Sequence, residues 1–171
     1  MLVRPAAPQD LPAIQAIYAH HVMHGLASFE EVAPPLAEMQ RRYEDITKQG
    51  FPYLVAAEKG EVLGYGYCSL YRTRSAYRHT LEDSIYVKQG QQGKGVGKAV
   101  LKELIAVCTA LNYRQIIAVI GDSANAASIG VHASLGFVRA GLLRSTGFKF
   151  GRWVDSVYMQ LPLGAGDGTK P

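Results

Sequence analysis

The sequence has few of the residues that mark secreted, metal-binding or membrane proteins. Its 171 residues include only two cysteines and one tryptophan. Cys68 and Cys108 lie far apart in apolar segments, without metal-type spacing, which favours buried, reduced thiols. No apolar run is long enough to cross a bilayer, and the first residues lack the pattern of a signal peptide. We therefore expect a cytoplasmic protein that does not bind membranes.

Runs of like charge are also absent. The formal charge is +4, from 18 Lys and Arg against 14 Asp and Glu, and the basic residues are scattered. The most basic stretch with aromatics, residues 71–78, is too short and isolated to indicate a nucleic-acid site. His20 and His24 stand four apart, but no cysteine or carboxylate cluster completes a metal site. We expect a small anionic ligand, no metal and no nucleic acid.

The hydrophobic pattern predicts one mixed α+β domain over residues 1–163, followed by a disordered tail over 164–171. Apolar residues recur at helical spacing in four segments, about 11–22, 36–50, 98–111 and 125–135. Segments rich in Val, Ile, Leu and Tyr predict strands over 1–4, 53–58, 62–71, 80–87, 115–120, 137–143 and 153–161.

A glycine-rich stretch separates the strand at 80–87 from the next helix. It comprises Gln92, Gly93, Lys94, Gly95, Val96, Gly97 and Lys98. Backbone N–H groups at such a helix start can bind phosphate. A Walker loop would need glycine at Gln92 and Ser or Thr at Ala99, and a dinucleotide fingerprint would need a small residue at Lys98 or Val100. The stretch is therefore another kind of phosphate site or a plain turn.

The pattern Gln92-x-x-Gly95-x-Gly97 resembles the pyrophosphate-binding signature of the GNAT acetyltransferases. About thirty residues later, Asn125-x-x-Ser128, His132 and Leu135-Gly136-Phe137 resemble the second GNAT motif. The resemblance implies a GNAT fold, a single mixed, mostly antiparallel sheet that is splayed in the middle and flanked by helices. It also implies acetyl-CoA as co-substrate and a homodimer. The implied cofactor contacts are Ile85, Tyr86, Val87, residues 92–98, Asn125, Ser128 and His132. Singly, Asn125 and Gly136 could be helix caps.

Several further stretches resemble the phosphinothricin and methionine sulfoximine acetyltransferases. They are 16–18, 50–52, 71–72, 77–80, 82 with 84–87, and 149–153. In that branch the enzyme acetylates the α-amine of an amino acid with a phosphinate, sulfoximine or sulfone side chain. Two alternatives remain: acetylation of another amine, such as a peptide N-terminus or a polyamine, and a CoA-binding regulatory module without activity. Arg72 and Arg74 would repel a polyamine, and Glu82 favours an enzyme.

The chemistry needs a base, because an α-amine with a pKa of roughly 8 to 9 is mostly protonated at neutral pH. Glu82 is the candidate, since it matches the family's catalytic glutamate, acting directly or through water; it could instead be a solvated strand carboxylate. The resemblance assigns the Val87 N–H to the oxyanion. His132 stands where many relatives have a tyrosine acid, but helix packing explains it equally well and Tyr86 competes, so the acid stays open.

The remaining predicted site residues would bind the acceptor. Arg72, Thr73 and Arg74 lie on the connection before Glu82, where arginines can pair with carboxylate and phosphinate oxygens. Asp83 and Ser84 follow the predicted base. Phe29 and Glu30 match a loop that walls the amino-acid pocket, where several relatives have Trp-Asn. The arginines could also belong to an ordinary surface loop.

Overall fold

Seven apolar segments pair into one sheet in the computed structural model, which describes residues 1–171. The strands are β1 (Leu2–Pro5), β2 (Tyr53–Glu58), β3 (Glu61–Leu70), β4 (Thr80–Val87), β5 (Gln115–Gly121), β6 (Val138–Lys149) and β7 (Arg152–Pro162). Their order is β1-β2-β3-β4-β5-β7-β6. Only β4 and β5 run parallel, and all other neighbours are antiparallel. The predicted mixed, mostly antiparallel sheet is confirmed.

Four helices flank this sheet: α1 (Leu11–His24), α2 (Leu36–Lys48), α3 (Val96–Ala110) and α4 (Ala126–Ala133). Two short 3-10 turns lie at Pro8–Asp10 and Ser75–Tyr77. Side chains alternate between the faces of each strand, so the sheet has two cores. In one, Val100 and Leu104 of α3 pack on the sheet; in the other, Ile14 and Tyr18 of α1 do. No helix combines the length and apolarity needed to span a membrane.

Two element boundaries differ clearly from the sequence prediction. The helix α3 begins at Val96, before the predicted start, because Gly95 in the left-handed region (φ 81°) is its N-cap. Strand β6 runs to Lys149, since two register shifts and Ser145 at φ 55° break the period-two pattern that marks a strand in sequence. The last residues form turns, and Arg114 Nη2 donates to Thr169 Oγ1 at 3.0 Å. Their disorder and the domain boundary at 163 stay predictions.

The sheet opens between its two parallel strands. Strands β4 and β5 pair only from Thr80 with Gln115 to Asp83 with Ala118. On its other side, β4 stays paired with β3 as far as Val87. The ends of β4 and β5 therefore diverge, leaving one edge of β4 without a neighbour at residues 84–87. This gap is the predicted splay, and it is confirmed.

Candidate active site

The backbone at the end of β4 faces the gap. In the β3–β4 ladder, Tyr71 N donates to Thr80 O and Lys88 N donates to Leu63 O. Because backbone groups alternate in direction along an antiparallel ladder, those of Ile85 and Val87 point away from β3. His21 Nε2 donates to the Val87 carbonyl at 2.8 Å. The N–H groups of Ile85 and Val87 are left directed into the gap.

The glycine-rich turn brings a second set of backbone donors to the same end of β4. Gly90, Gly93 and Gly95 have φ of 78°, 75° and 81°, a region that favours glycine. No side chain caps the start of α3, and the first helical bond there runs from Ala99 N to Gly95 O. The N–H groups of residues 96–98 therefore have no helical partner. Together with the exposed Lys94 and Lys98, they form a site suited to an anion.

The gap itself is a narrow cleft of about 50 Å³. Its walls come from β4, β5, α4 and the loop after α1, namely Ala27, Asp83, Ser84, Ile85, Tyr86, residues 118–121, Asn125, Ser128 and His132. Asn125 is the N-cap of α4, because its Oδ1 accepts from Ser128 N at 3.1 Å. The only other hydrogen bond of its side chain is a long one, 3.5 Å from Nδ2 to Gly121 O. The side-chain amide of Asn125 therefore faces the cleft as well as capping α4.

A buried ion pair forms the floor of this cleft. His132 Nε2 donates to Asp83 Oδ2 at 3.0 Å, and the two side chains are only 5% and 2% exposed. His132 Nδ1 donates to Ser128 O at 2.7 Å. Burial by itself lowers the pKa of His132, but the bond and charge of Asp83 outweigh it, so the pKa is raised. The acceptors at both ring nitrogens favour the imidazolium form of His132.

Asp83 does not lie with the other predicted acceptor residues. Neighbouring side chains of a strand point to opposite faces, so Asp83 faces α4 while Glu82 and Ser84 face the α1 side. Asp83 Oδ1 is buried there without a hydrogen-bond partner. The sequence analysis missed the pair with His132, because the two residues lie 49 positions apart and no local pattern links them.

Glu82 lies on the α1 side of the sheet beside Arg72. Its side chain is 31% exposed, and Arg72 Nη1 lies 3.9 Å from Glu82 Oε2. Burial raises the pKa of Glu82, Arg72 opposes this, and Asp83 adds to it; the net pKa is raised. Arg72 lies over the Tyr71 ring, 4.1 Å from its centroid. The structure thus brings Arg72 to Glu82, whereas Thr73 and Arg74 are exposed further along the connection.

A cluster of tyrosines lies under this face, and of its members only Tyr86 was predicted as part of the site. Tyr86 stacks on Tyr65 at 5.4 Å between ring centroids and meets Tyr18 edge-on at 4.9 Å. Burial raises the pKa of Tyr86 well above its usual value. Tyr67 lies opposite Ser84 in the ladder. The alternation of Tyr65 and Tyr67 in β3 was the available signal.

Residues 25–31, here named the bridging loop, connect the cleft to the Glu82 face. Ala27 lines the cleft, and Phe29 is 40% exposed. Glu30 Oε1 accepts from Tyr18 OH at 2.9 Å and from Arg42 Nη1 at 2.6 Å. Burial opposes the ionisation of Glu30, but the Arg42 and Tyr18 bonds outweigh it and lower the pKa. Glu30 is therefore an ionised and paired carboxylate.

Comparison with known proteins places this geometry in a family. The family described as "Acetyltransferase (GNAT) domain" matches residues 3–158. The chain is 57% identical to a phosphinothricin N-acetyltransferase of Alcaligenes faecalis, over 99% of this chain and 86% of that protein. It is 42% identical to an L-methionine sulfoximine/L-methionine sulfone acetyltransferase of Pseudomonas aeruginosa, over 94% of each.

Solved structures agree with the sequence comparison. The crystal structure of a GNAT superfamily phosphinothricin acetyltransferase from Sinorhizobium meliloti, in complex with AcCoA, superposes with a TM-score of 0.96 at 50% identity. It covers 99% of this chain and 92% of its own. The splayed sheet, the anion site at α3 and these matches lead to one conclusion: the chain belongs to the GNAT family and is an N-acetyltransferase.

Proposed function

We propose that the protein transfers the acetyl group of acetyl-CoA to the α-amine of an amino acid of the phosphinothricin, methionine sulfoximine or methionine sulfone type. One observation carries the proposal. Glu82, with its raised pKa, lies beside a cation and on the strand whose end has free backbone donors. The names of the relatives in Alcaligenes and Pseudomonas support the acceptor class.

The free donors fit acetyl-CoA. The uncapped N–H groups of residues 96–98, with Lys94 and Lys98, would hold the pyrophosphate. The Ile85 backbone and the Asn125 amide would bind the pantetheine arm in the gap. The bound co-substrate supplies an acetyl group already activated as a thioester. No step in this proposal calls for a metal.

Glu82 would take the proton of the acceptor ammonium, directly or through one water. The freed amine then forms the C–N bond at the acetyl carbonyl, and the Val87 N–H donates to the resulting oxyanion. The C–S bond of the tetrahedral intermediate then breaks, the nitrogen loses its second proton to give the amide, and this proton passes to the departing CoA thiolate or to solvent. The general acid stays unassigned, because both ring N–H groups of His132 already donate to Asp83 and Ser128, and burial raises the pKa of Tyr86 and makes it a weak acid.

The acceptor would be held by charge. Arg72, half exposed beside Glu82, can pair with a carboxylate or phosphinate oxygen. Arg74 and Thr73 would extend this contact from the same connection. Glu30 does not repel an anionic acceptor, because Arg42 neutralises it. Phe29 would form the wall next to the acceptor side chain.

We also propose a cytoplasmic homodimer. Cys68 and Cys108 are both free and buried, as expected in a reducing compartment. Phe148, Phe150 and Trp153 are 57%, 58% and 63% exposed at the β6–β7 hairpin, a concentration of apolar surface typical of an interface. Sedimentation that gives a monomer at micromolar concentration would contradict the dimer.

Two measurements test the proposal. The first screens amino acids and their sulfoximine, sulfone and phosphinate analogues with acetyl-CoA, following release of free thiol. The second compares Glu82→Gln with Glu103→Gln, an exposed carboxylate on α3. Glu82→Gln should keep both KM values and lower kcat by roughly 100-fold to 10,000-fold. The loss should shrink as pH approaches the amine pKa, and a wild-type kcat at pH 7 would refute the base.

A further inference from the structure

A buried lysine holds the bridging loop from below. Lys149, the last residue of β6, is only 1% exposed and donates to no carboxylate, although the charges of Glu31 and Glu30 favour its protonated form. Its Nζ donates to Gly25 O at 2.9 Å and to Ser28 O at 2.7 Å. Because Gly25 is the C-cap of α1, the ammonium also lies at the negative end of that helix. Removing an ammonium group from water to this degree costs folding free energy, so we expect its position to serve a role.

Two glycines show how closely the loop approaches the sheet at this place. A Cβ on Gly147 of β6 would lie 2.5 Å from Phe29 Cε2, and one on Gly121 of β5 would lie 2.2 Å from Leu26 O. Neither glycine has a positive φ. Their lack of a side chain is thus needed for space, not for backbone conformation. Lys149 holds the loop through hydrogen bonds, and Gly147 and Gly121 allow the loop to pack closely on β6 and β5.

The attached loop joins both halves of the site. Ala27 lines the cleft with Ser84 and Tyr86. The next residue, Ser28, has its Oγ 2.9 Å from Tyr18 OH, which donates in turn to Glu30. A displacement of Ser28 would therefore move the cleft wall and the acceptor wall together.

We propose that Lys149 is a positioning residue of the acceptor site, which fixes the bridging loop over the gap through the Gly25 and Ser28 carbonyls. This inference rests on the proposed function, since it takes the loop as a wall of the acceptor pocket. The lowered pKa of Lys149, which results from burial, agrees with a group that water does not reach. Its role is to hold the loop, and no proton transfer is assigned to it.

The test uses Lys149→Met, which keeps the length and removes the donors. The acceptor KM should rise about tenfold, the equivalent of one lost hydrogen bond to a charged group. The KM for acetyl-CoA should rise clearly less than that of the acceptor, because the bridging loop lines the pantetheine gap only through Ala27 and the anion site at α3 lies at the other end of the co-substrate. Amide hydrogen exchange should accelerate in residues 25–31 and not in α3. Lys48→Met, on the exposed end of α2, is the matched control and should change none of these.

A second variant keeps the inference testable if Lys149→Met fails to fold. Gly147→Ala should raise the acceptor KM in the same selective way, by pushing Phe29 from its place. In a Phe29→Ala background, the same Gly147→Ala change should raise the acceptor KM little further, because the added Cβ no longer meets the Phe29 ring. Equal increases in both KM values, or unchanged exchange in the loop, would overturn the inference. If the wild type acetylates no acceptor, the proposed function fails, and hydrogen exchange alone then decides the role of Lys149.

Discussion

Removing the charge of Arg72 should move the acidic limb of the pH–rate profile to higher pH. In the proposed mechanism Glu82 acts as a base only when it is ionised, so activity should fall as pH drops through its raised pKa. Arg72 favours the ionised form from 3.9 Å. Without this cation the pKa of Glu82 rises further, and Arg72→Gln should lose activity at a pH where the wild type still works.

The distance sets the size of this effect. At 3.9 Å, two unit charges interact by about 1 kcal/mol in water and about 4 kcal/mol at the effective dielectric of a protein surface. The Arg72 side chain is 50% exposed and Glu82 31%, so solvent screens the pair and the lower figure applies. Since 1.36 kcal/mol corresponds to one pKa unit, the acidic limb of the profile should move to higher pH by roughly 0.5 to 1 pH unit.

The assay is kcat/KM for one acceptor from pH 5 to 9, which reports groups of the free enzyme and free substrate. The amine pKa is common to all variants, so a difference between limbs belongs to the enzyme. Arg74→Gln is the control: it should raise the acceptor KM without moving the limb. High salt should move the wild-type limb toward that of Arg72→Gln. Superimposable limbs for the wild type and Arg72→Gln would refute the coupling.

Three other substitutions test the glycine-rich turn and the buried pair at the floor of the cleft. Gly95→Ala should lower Tm as well as affinity for acetyl-CoA, because a left-handed residue other than glycine costs about 1 kcal/mol. Gly97→Val puts a Cβ 3.4 Å from Val87 Cγ2 and should raise the KM of acetyl-CoA far more than that of the acceptor; equal increases would indicate a purely structural turn. Asp83→Asn should cost about 3 kcal/mol of unfolding free energy by breaking a buried pair. Because the folded pKa of His132 is raised, urea titrations should find this loss largest below pH 6.5 and smaller as pH rises through that pKa; an equal loss at pH 6 and 9 would contradict the pairing.

Local patterns were enough to predict the sheet and the cofactor turn. Val-rich and Ile-rich runs mark the strands, and the helical spacing after Gly97 marks α3, because both depend on neighbours in sequence. The turn was predictable for the same reason, since Gly93 and Gly95 must adopt positive φ within a few residues. The second half of β6 was not, because its bulges break the alternation on which the prediction depends.

Long-range contacts could not be predicted in this way. Lys149 was noticed only as part of a stretch resembling one branch of the family, and nothing in that stretch indicates a partner 121 residues away in the bridging loop. The same holds for Glu30 in the bridging loop, whose ionised form is stabilised by Arg42 of α2. Such contacts depend on how the elements pack, which spacing along one element does not encode.

Glu82 and Asp83 show how far the packing decides what a residue does. They are adjacent carboxylates on one strand, and the sequence grouped both with the acceptor site. Alternation along β4 sends Glu82 toward Arg72, where its side chain is 31% exposed, and Asp83 into a buried pair with His132. That pair lies at the last residue that β4 pairs with β5. An apolar contact between α4 and β4 at this point would not require one fixed distance. The ion pair does require one, and it holds α4 and β4 at hydrogen-bonding distance. Asp83, which the proposed mechanism leaves out of proton abstraction, therefore helps to define the mouth of the gap beside Glu82, the proposed base.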